Sequence, residues 1–241
     1  MIRSIIFDWS GTLVDDLPAA LQATNHVLRQ AGVEELTLDR FRAEFSLPFI
    51  GFYQRFVPHV SMAQVEEWFH ARFREVQHQV EELPHAREFL EFCHARGVRS
   101  FLLSTLPHEH FTAQTKRNGF DRYLERPYLG VWDKRARITE VLRENSLNPA
   151  ETLFVGDMQH DIETARHGGV FSCAVLTGFN KLEQLRASEP DLIVEHLGEL
   201  REILDRGGMD IRSALRRNGT DELTPISTVG ALIFDPQGAC S

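Results

Sequence analysis

Lysine is scarce in this chain. Only Lys116, Lys134 and Lys181 occur among 241 residues. Amine chemistry therefore has three candidate side chains, and none lies before Lys116. Cysteine is equally sparse. Cys93, Cys173 and Cys240 are widely spaced, and that spacing excludes a Cys-x-x-Cys motif. Cys93 falls in a helical pattern and Cys173 in a strand pattern, so both are expected as buried small apolar residues of a reducing compartment. Long apolar runs are missing too. None approaches the roughly 18 residues that span a membrane. The opening Met1-Ile2-Arg3-Ser4-Ile5-Ile6-Phe7 turns acidic too soon for a signal peptide. A soluble, cytoplasmic protein with no membrane partner is expected. Positive charge is in deficit, with 26 Lys+Arg against 35 Asp+Glu and a net charge of -9. General nucleic-acid binding is thereby excluded, because phosphate backbones call for basic patches.

What the chain does have is ordinary globular composition, 42% hydrophobic and 25% charged. Its first run, Ile5-Ile6-Phe7-Asp8-Trp9-Ser10-Gly11-Thr12, carries a carboxylate to the end of an apolar stretch and turns at once. Open α/β sheets keep their chemistry at such strand ends. A second run, Thr152-Leu153-Phe154-Val155-Gly156, leads to Asp157 and Asp161. Acidic residues at two strand ends of one sheet suit a hard divalent cation. Beside a cation, Asp8 is a candidate nucleophile toward phosphorus.

Between these runs the periodicity changes. Leu17, Leu21, Val27 and Leu28 form a helical stripe that breaks at Gly32. Phe41, Phe45, Phe49, Phe52 and Phe56 recur at three- and four-residue steps, and Val65, Trp68, Phe69, Phe73 and Val76 repeat the pattern. Residues 15–85 therefore read as an all-helical insert without strands. Phe49, Phe52 and Tyr53 are read as its core or as a partly apolar lid. Beyond Pro84, helices at 86–96, 110–118, 134–145, 162–167 and 197–204 alternate with strands at 98–103, 152–155, 171–176 and 192–194. Gly97 and Gly119 are placed as C-caps. Such alternation predicts a parallel sheet with right-handed crossovers. The fold class is α/β, a Rossmann-like parallel sheet (1–14 and 86–207) with an inserted helical cap (15–85). The tail 208–241 reads as an extra edge strand near 227–234, as a loose end, or as the start of a truncated second domain.

Four motifs in order, Asp8-Trp9-Ser10-Gly11-Thr12, Phe101-Leu102-Leu103-Ser104-Thr105, Lys134, and Gly156-Asp157-Met158-Gln159-His160-Asp161, resemble the haloacid dehalogenase-like superfamily. The likeness covers roughly residues 1–207 and is greatest to phosphatases related to phosphoglycolate phosphatase. The tail run Val229–Gly238 looks like the first strand of a Nudix domain, without its catalytic box. The resemblance implies an aspartyl-phosphate at Asp8 and a Mg²⁺ held by Asp8, the Ser10 carbonyl and Asp157. Asp161 would hold a metal-bound water or orient Lys134. Lys134 would neutralise charge on the transferring phosphoryl group. Gly11, Thr12, and Ser104 or Thr105 would contact that group. A small phosphorylated metabolite is the implied substrate.

One departure matters. Where these phosphatases carry a second aspartate, this chain has Ser10. A serine cannot protonate a leaving alcohol, and losing a positioned acid–base group typically lowers rate by about 10²–10⁴. Three readings follow. The enzyme is slow, with water or His108, Asp15 or Asp16 substituting. The leaving group needs no proton. Or the chain binds a phosphate ligand without turnover. Asp-x-Ser-Gly-Thr also looks like the Asp-x-Ala-Gly-Thr of phosphonoacetaldehyde hydrolase, but that chemistry needs a cap lysine and this cap has none. Metal-free haloacid dehalogenation is disfavoured by the Asp157–Asp161 loop. Finally, His108 and His110 are read as residues of a solvated loop or as groups within reach of a substrate, and His160 at the surface or supporting the metal loop.

Overall fold

The fold is described from a computed structural model, in which residues 1–215 are placed. The expected strand near 227–234 and the Nudix-like run lie outside the described residues. The near end of the tail packs inward, since Ile211 is fully buried and the Ile2 amide donates to the Met209 carbonyl at 2.6 Å.

The chain runs β1 (Ser4–Phe7), β2 (Val14–Asp15), α1 (Leu17–Gln30), α2 (Leu38–Glu44), α3 (Ile50–Phe56), α4 (Met62–Val76), β3 (Glu81–Glu82), α5 (Ala86–Ala95) and β4 (Arg99–Leu103). It continues through α6 (His108–Asn118), β5 (Arg126–Tyr128), α7 (Lys134–Glu144), β6 (Thr152–Gly156), α8 (Gln159–Gly168), β7 (Phe171–Val175), α9 (Leu182–Ala187), β8 (Leu192–Val194), α10 (Leu197–Arg206) and α11 (Arg212–Leu215). Six strands form one sheet in the order β5-β4-β1-β6-β7-β8, and every pair is parallel.

The sheet is buried on both faces, as parallel sheets with helical crossovers must be. Ile5, Phe7, Leu102 and Val155 point to one face and pack with α5 and α10. Ile6, Phe101, Leu103 and Phe154 point to the other and pack with α7 and α8. The period-2 alternation thus sends every second residue of β1 to an opposite core. Full burial of one such Phe or Ile contributes about 1.5–3 kcal/mol.

Helices α1 to α4 form the insert, with α1 lying along α4 and a separate aromatic core around Phe41, Phe52 and Tyr53. Two expectations are corrected here, the strand-free insert and the position of His110, and the helical stripe is resolved into two helices. The insert region is not free of strands, because β2 and β3 pair antiparallel where the chain leaves and re-enters the core, Asp15 opposite Glu81. Two residues per strand carry no readable period. The Phe41–Phe56 stripe is not one helix. It breaks after Glu44, and Pro48, which lacks an amide hydrogen, precedes α3. His110 is in helix α6 and 1% exposed rather than in a solvated loop.

Candidate active site

The C-terminal ends of the parallel strands meet along one edge, and the motifs sit there. The Asp8 amide donates to the Val155 carbonyl at 2.9 Å, extending the β1 ladder by one residue and fixing the carboxylate just past the strand. Asp157 follows β6 directly, and Asp161 sits in the first turn of α8. Oxygen atoms of Asp8, Asp157 and Asp161 lie within 4.8 Å of one another, and all three residues are buried. This satisfies the expectation that Asp8 and Asp157 stand close enough to share one cation.

Lys134, at the start of α7, reaches into the trio. Its Nζ lies 2.8 Å from Asp8 Oδ1 and 2.7 Å from Asp161 Oδ1, with no solvent exposure. Burial lowers the affinity of this amine for its proton, but Asp161 and Asp8 outweigh it and hold the lysine charged. Burial also dominates at Asp8, where it overrides Lys134 and lifts the carboxyl to about 6. Asp157 is raised well above the usual carboxylate range, by burial first and then by the charges of Asp8 and Asp161. Three buried carboxylates against one ammonium leave excess negative charge, and that excess is what a divalent cation would neutralise.

The backbone is shaped around these oxygens. Gly11 has φ of +69°, and a Cβ there would lie 2.5 Å from Asp157 Oδ2, so only glycine fits the turn. Gly156 and Gly178 likewise leave room for Asp161 and Asp157. Asp157 accepts from the Phe179 amide at 2.7 Å and from the Thr12 hydroxyl at 3.2 Å. Thr12 is therefore committed to positioning Asp157. Asp161 Oδ2 accepts from the Met158 amide at 3.0 Å.

The other expected residues divide. Ser104 is buried at the end of β4, and its oxygen accepts from the Leu106 amide at 3.2 Å. Thr105 lines the cavity above Asp8 together with Ser10. Of the three side chains considered as substitutes for the missing aspartate, only Asp16 reaches Ser10. The Ser10 hydroxyl donates to Asp16 Oδ2 at 2.6 Å. Burial raises Asp16 to about 7, and its second oxygen is buried without a hydrogen-bond partner. Asp15 belongs to the small ribbon, and His108 bonds Thr112 on the outside of α6. His160 is buried rather than at the surface, and its Nε2 accepts from the Lys134 amide at 3.2 Å. It therefore helps set where the lysine begins.

Sequence reading missed the loop after β7. Thr177 donates to the Gly11 carbonyl at 2.6 Å, and Asn180 accepts from the Gln159 amide at 2.8 Å. Thr177-Gly178-Phe179-Asn180 packs against Gly11 and Asp157 at the edge of the site. A Thr-Gly pair just past a strand end was its only sequence signal.

A family model described as haloacid dehalogenase-like hydrolase matches residues 5–175. A phosphoglycolate phosphatase of Synechococcus elongatus is 27% identical over 212 residues, covering 83% of this chain and 95% of that protein. One from Vibrio vulnificus is 26% identical, covering 84% and 96%. A solved structure from Haemophilus somnus, titled a predicted phosphoglycolate phosphatase, has a TM-score of 0.71 at 21% identity and covers 84% of this chain and 97% of its own. A predicted phosphatase from Clostridium acetobutylicum has a TM-score of 0.76 at 14% identity, covering 86% and 100%. At such identities the solved structures speak for the fold alone. With the motifs, their convergence and the family match together, the chain belongs to the haloacid dehalogenase-like hydrolases and is an enzyme of their phosphatase type.

Proposed function

We propose that this enzyme hydrolyses a small phosphomonoester with Mg²⁺, through a phosphoryl group carried on Asp8. The observation that carries the reading is the buried Asp8–Asp157–Asp161 trio with Lys134 bridging Asp8 and Asp161. Asp8, the Ser10 carbonyl and Asp157 would hold the metal. Asp161 has one oxygen on Lys134 and the other on a backbone amide, which favours its role as the group that orients the lysine. Bound there, the cation would offset the repulsion between the Asp8 carboxylate and the phosphate.

In the first step an Asp8 oxygen bonds to phosphorus, and the bond from phosphorus to the ester oxygen breaks. The released alkoxide takes a proton from water. In the second step a water oxygen bonds to phosphorus while the bond from phosphorus to the Asp8 oxygen breaks, and the attacking water's proton passes to solvent, leaving phosphate and the Asp8 carboxylate. Lys134 stays charged throughout and faces the growing negative charge beside Asp8. Ser10, with Thr105, contacts the phosphoryl end. The proton steps are the weak point, because the side chain at position 10 is a hydroxyl already donated to Asp16. Residues 15–85 would act as the cap over this site, with 1–14 and 86–207 as its core.

The test is turnover of a phosphomonoester panel with Mg²⁺, with a chelator, and with Asp8→Asn. Phosphate release that needs both the metal and Asp8 supports the reading. Release unaffected by either change would overturn it.

A further inference from the structure

The cavity over Asp8 bears on the alcohol half of the substrate. Its walls are rings and aliphatic chains drawn from both sides of the cap boundary, with Phe45, Phe49 and Tyr53 from the insert and Leu106, Trp132 and Phe179 from the core. The rings are continuous across that boundary. Phe45 lies 5.4 Å from Phe179, and Phe49 lies 5.1 Å from Trp132, centroid to centroid.

What the lining lacks is a cation. Among the described residues around the cavity there is no lysine or arginine, whereas Asp8, Asp16 and Glu66 all face it. His70 and His110 also face it, but they bond each other at 3.1 Å, and His110 bonds Gln77 at 3.0 Å. Burial disfavours the charged form of both histidines, lowering His110 to about 4. Cations nearby are committed elsewhere. Arg42 donates to the Phe179 and Asn180 carbonyls, and Lys134 is held by Asp8 and Asp161. A second anionic group on a substrate would be desolvated against rings and face like charges with no partner, an arrangement that is strongly unfavourable.

We infer that the preferred substrates are phosphomonoesters of apolar, ring-bearing alcohols, and that phosphorylated carboxylates such as phosphoglycolate are poor ones. The inference rests on the phosphatase reading above and departs from the substrate named in the relatives. The cavity measures about 170 Å³ and its end at Asp8, Ser10 and Thr105 is taken by the phosphoryl group, so the remainder admits no more than about one ring, for which roughly 150 Å³ suffices.

The experiment compares kcat/KM of the full-length, Mg²⁺-supplied enzyme for ethyl phosphate, 2-phosphoglycolate and 2-phenylethyl phosphate. All three expel a primary alcohol oxygen, so recognition separates them more than leaving-group chemistry. The ring should raise kcat/KM over ethyl phosphate by roughly 10- to 100-fold, the range that burying one such group supplies. Phosphoglycolate should fall below ethyl phosphate. The double variant Phe49→Ala/Trp132→Ala should remove most of the ring preference, read as the ratio of kcat/KM for 2-phenylethyl phosphate to that for ethyl phosphate. Phosphoglycolate as the best substrate, or three esters turned over alike, would overturn the inference. If no ester is hydrolysed, the phosphatase reading fails instead. The inference is then judged by calorimetric binding of 2-phenylethylphosphonate against phosphonoacetate. Tighter binding of the ring compound upholds it, and equal or reversed affinity sinks it.

Discussion

Replacing Ser10 by aspartate tests how the site manages protons. The substitution restores the residue found at this place in phosphatases that the chain resembles, but here it meets an obstacle of this chain's own. Ser10 Oγ lies 2.6 Å from Asp16 Oδ2, and Asp16 is 3% exposed. A carboxylate at position 10 would face a second carboxylate across about 4 Å. At an effective dielectric near 20, that repulsion is about 4 kcal/mol. The pair will therefore hold one proton near neutral pH, as closely spaced carboxylates do. Two effects then compete. A shared proton is what a leaving alcohol needs, and a positioned acid–base group contributes about 10²–10⁴ in rate. Against it, the two charges meet once that proton is lost, so stability falls as the pH rises above neutral. The double variant Ser10→Asp/Asp16→Asn separates them, because the amide removes the repulsion and can donate to the new carboxylate. The assay is steady-state hydrolysis of alkyl and aryl phosphates beside urea unfolding. Ser10→Asp should gain turnover on alkyl esters more than on aryl esters, whose leaving groups need less protonation. Its stability should fall below that of wild type increasingly as the pH rises above neutral, and the double variant should regain most of that loss. No gain in either variant, with phosphate analogues still bound, would refute the reasoning and favour a binding protein that keeps the pocket.

Other outcomes follow from the same geometry. Lys134→Met leaves Asp8 and Asp161 buried without their cation. It should lower unfolding free energy by about 3–5 kcal/mol, with part of the loss recovered by Mg²⁺ in the same urea titration. Gly178→Ala drives a Cβ into the Asp157 carboxylate, so the Mg²⁺-induced rise in Tm should shrink while secondary structure measured by circular dichroism stays native. His110 stays neutral in the fold down to about pH 4, whereas the unfolded residue takes a proton near 6.5. Its contribution is complete above pH 6.5 and is withdrawn as pH falls toward 4, at up to about 1.4 kcal/mol per pH unit. Asp8, Asp16 and Asp157 are raised and act with the opposite sign. The measurement is therefore the difference between wild type and His110→Gln, which should narrow as the pH is lowered through that window.

The sheet was largely legible because its strands are short apolar runs ending in a carboxylate or hydroxyl. Asp8, Ser104 and Asp157 mark the ends of β1, β4 and β6, as read from sequence. Gly119 ends α6 with φ of +65°, the left-handed cap that its position in the pattern implies. The edge strand β5 was not legible. Arg126-Pro127-Tyr128 has no alternation, and proline argues against a strand except at an edge, where it in fact sits. α9 is six residues long, too short for a 3.6-residue period to declare itself. At the site, the family resemblance implied that Asp8, Lys134, Asp157 and Asp161 act together, and the fold joins them because β1 and β6 are neighbours in the sheet and α7 and α8 begin at the same edge. It could not choose among Asp15, Asp16 and His108 as the neighbour of Ser10. Adjacent acidic residues differ only in which way the turn faces them, and the β2–β3 pairing sets that turn. Nor could it see that His110 and His160 are buried, since a polar residue's burial depends on partners distant in the chain, here Gln77 and the Lys134 amide.

The central claim is that phosphoryl transfer passes through Asp8. The most direct measurement is peptide mapping by mass spectrometry after acid quench of the Mg²⁺-supplied enzyme during turnover of an aryl phosphate. The phosphoryl group should be found on Asp8, should accumulate because Ser10 lacks the base that clears it, and should vanish in Asp8→Asn. Steady phosphate release with no modified peptide, persisting in Asp8→Asn, would contradict the account.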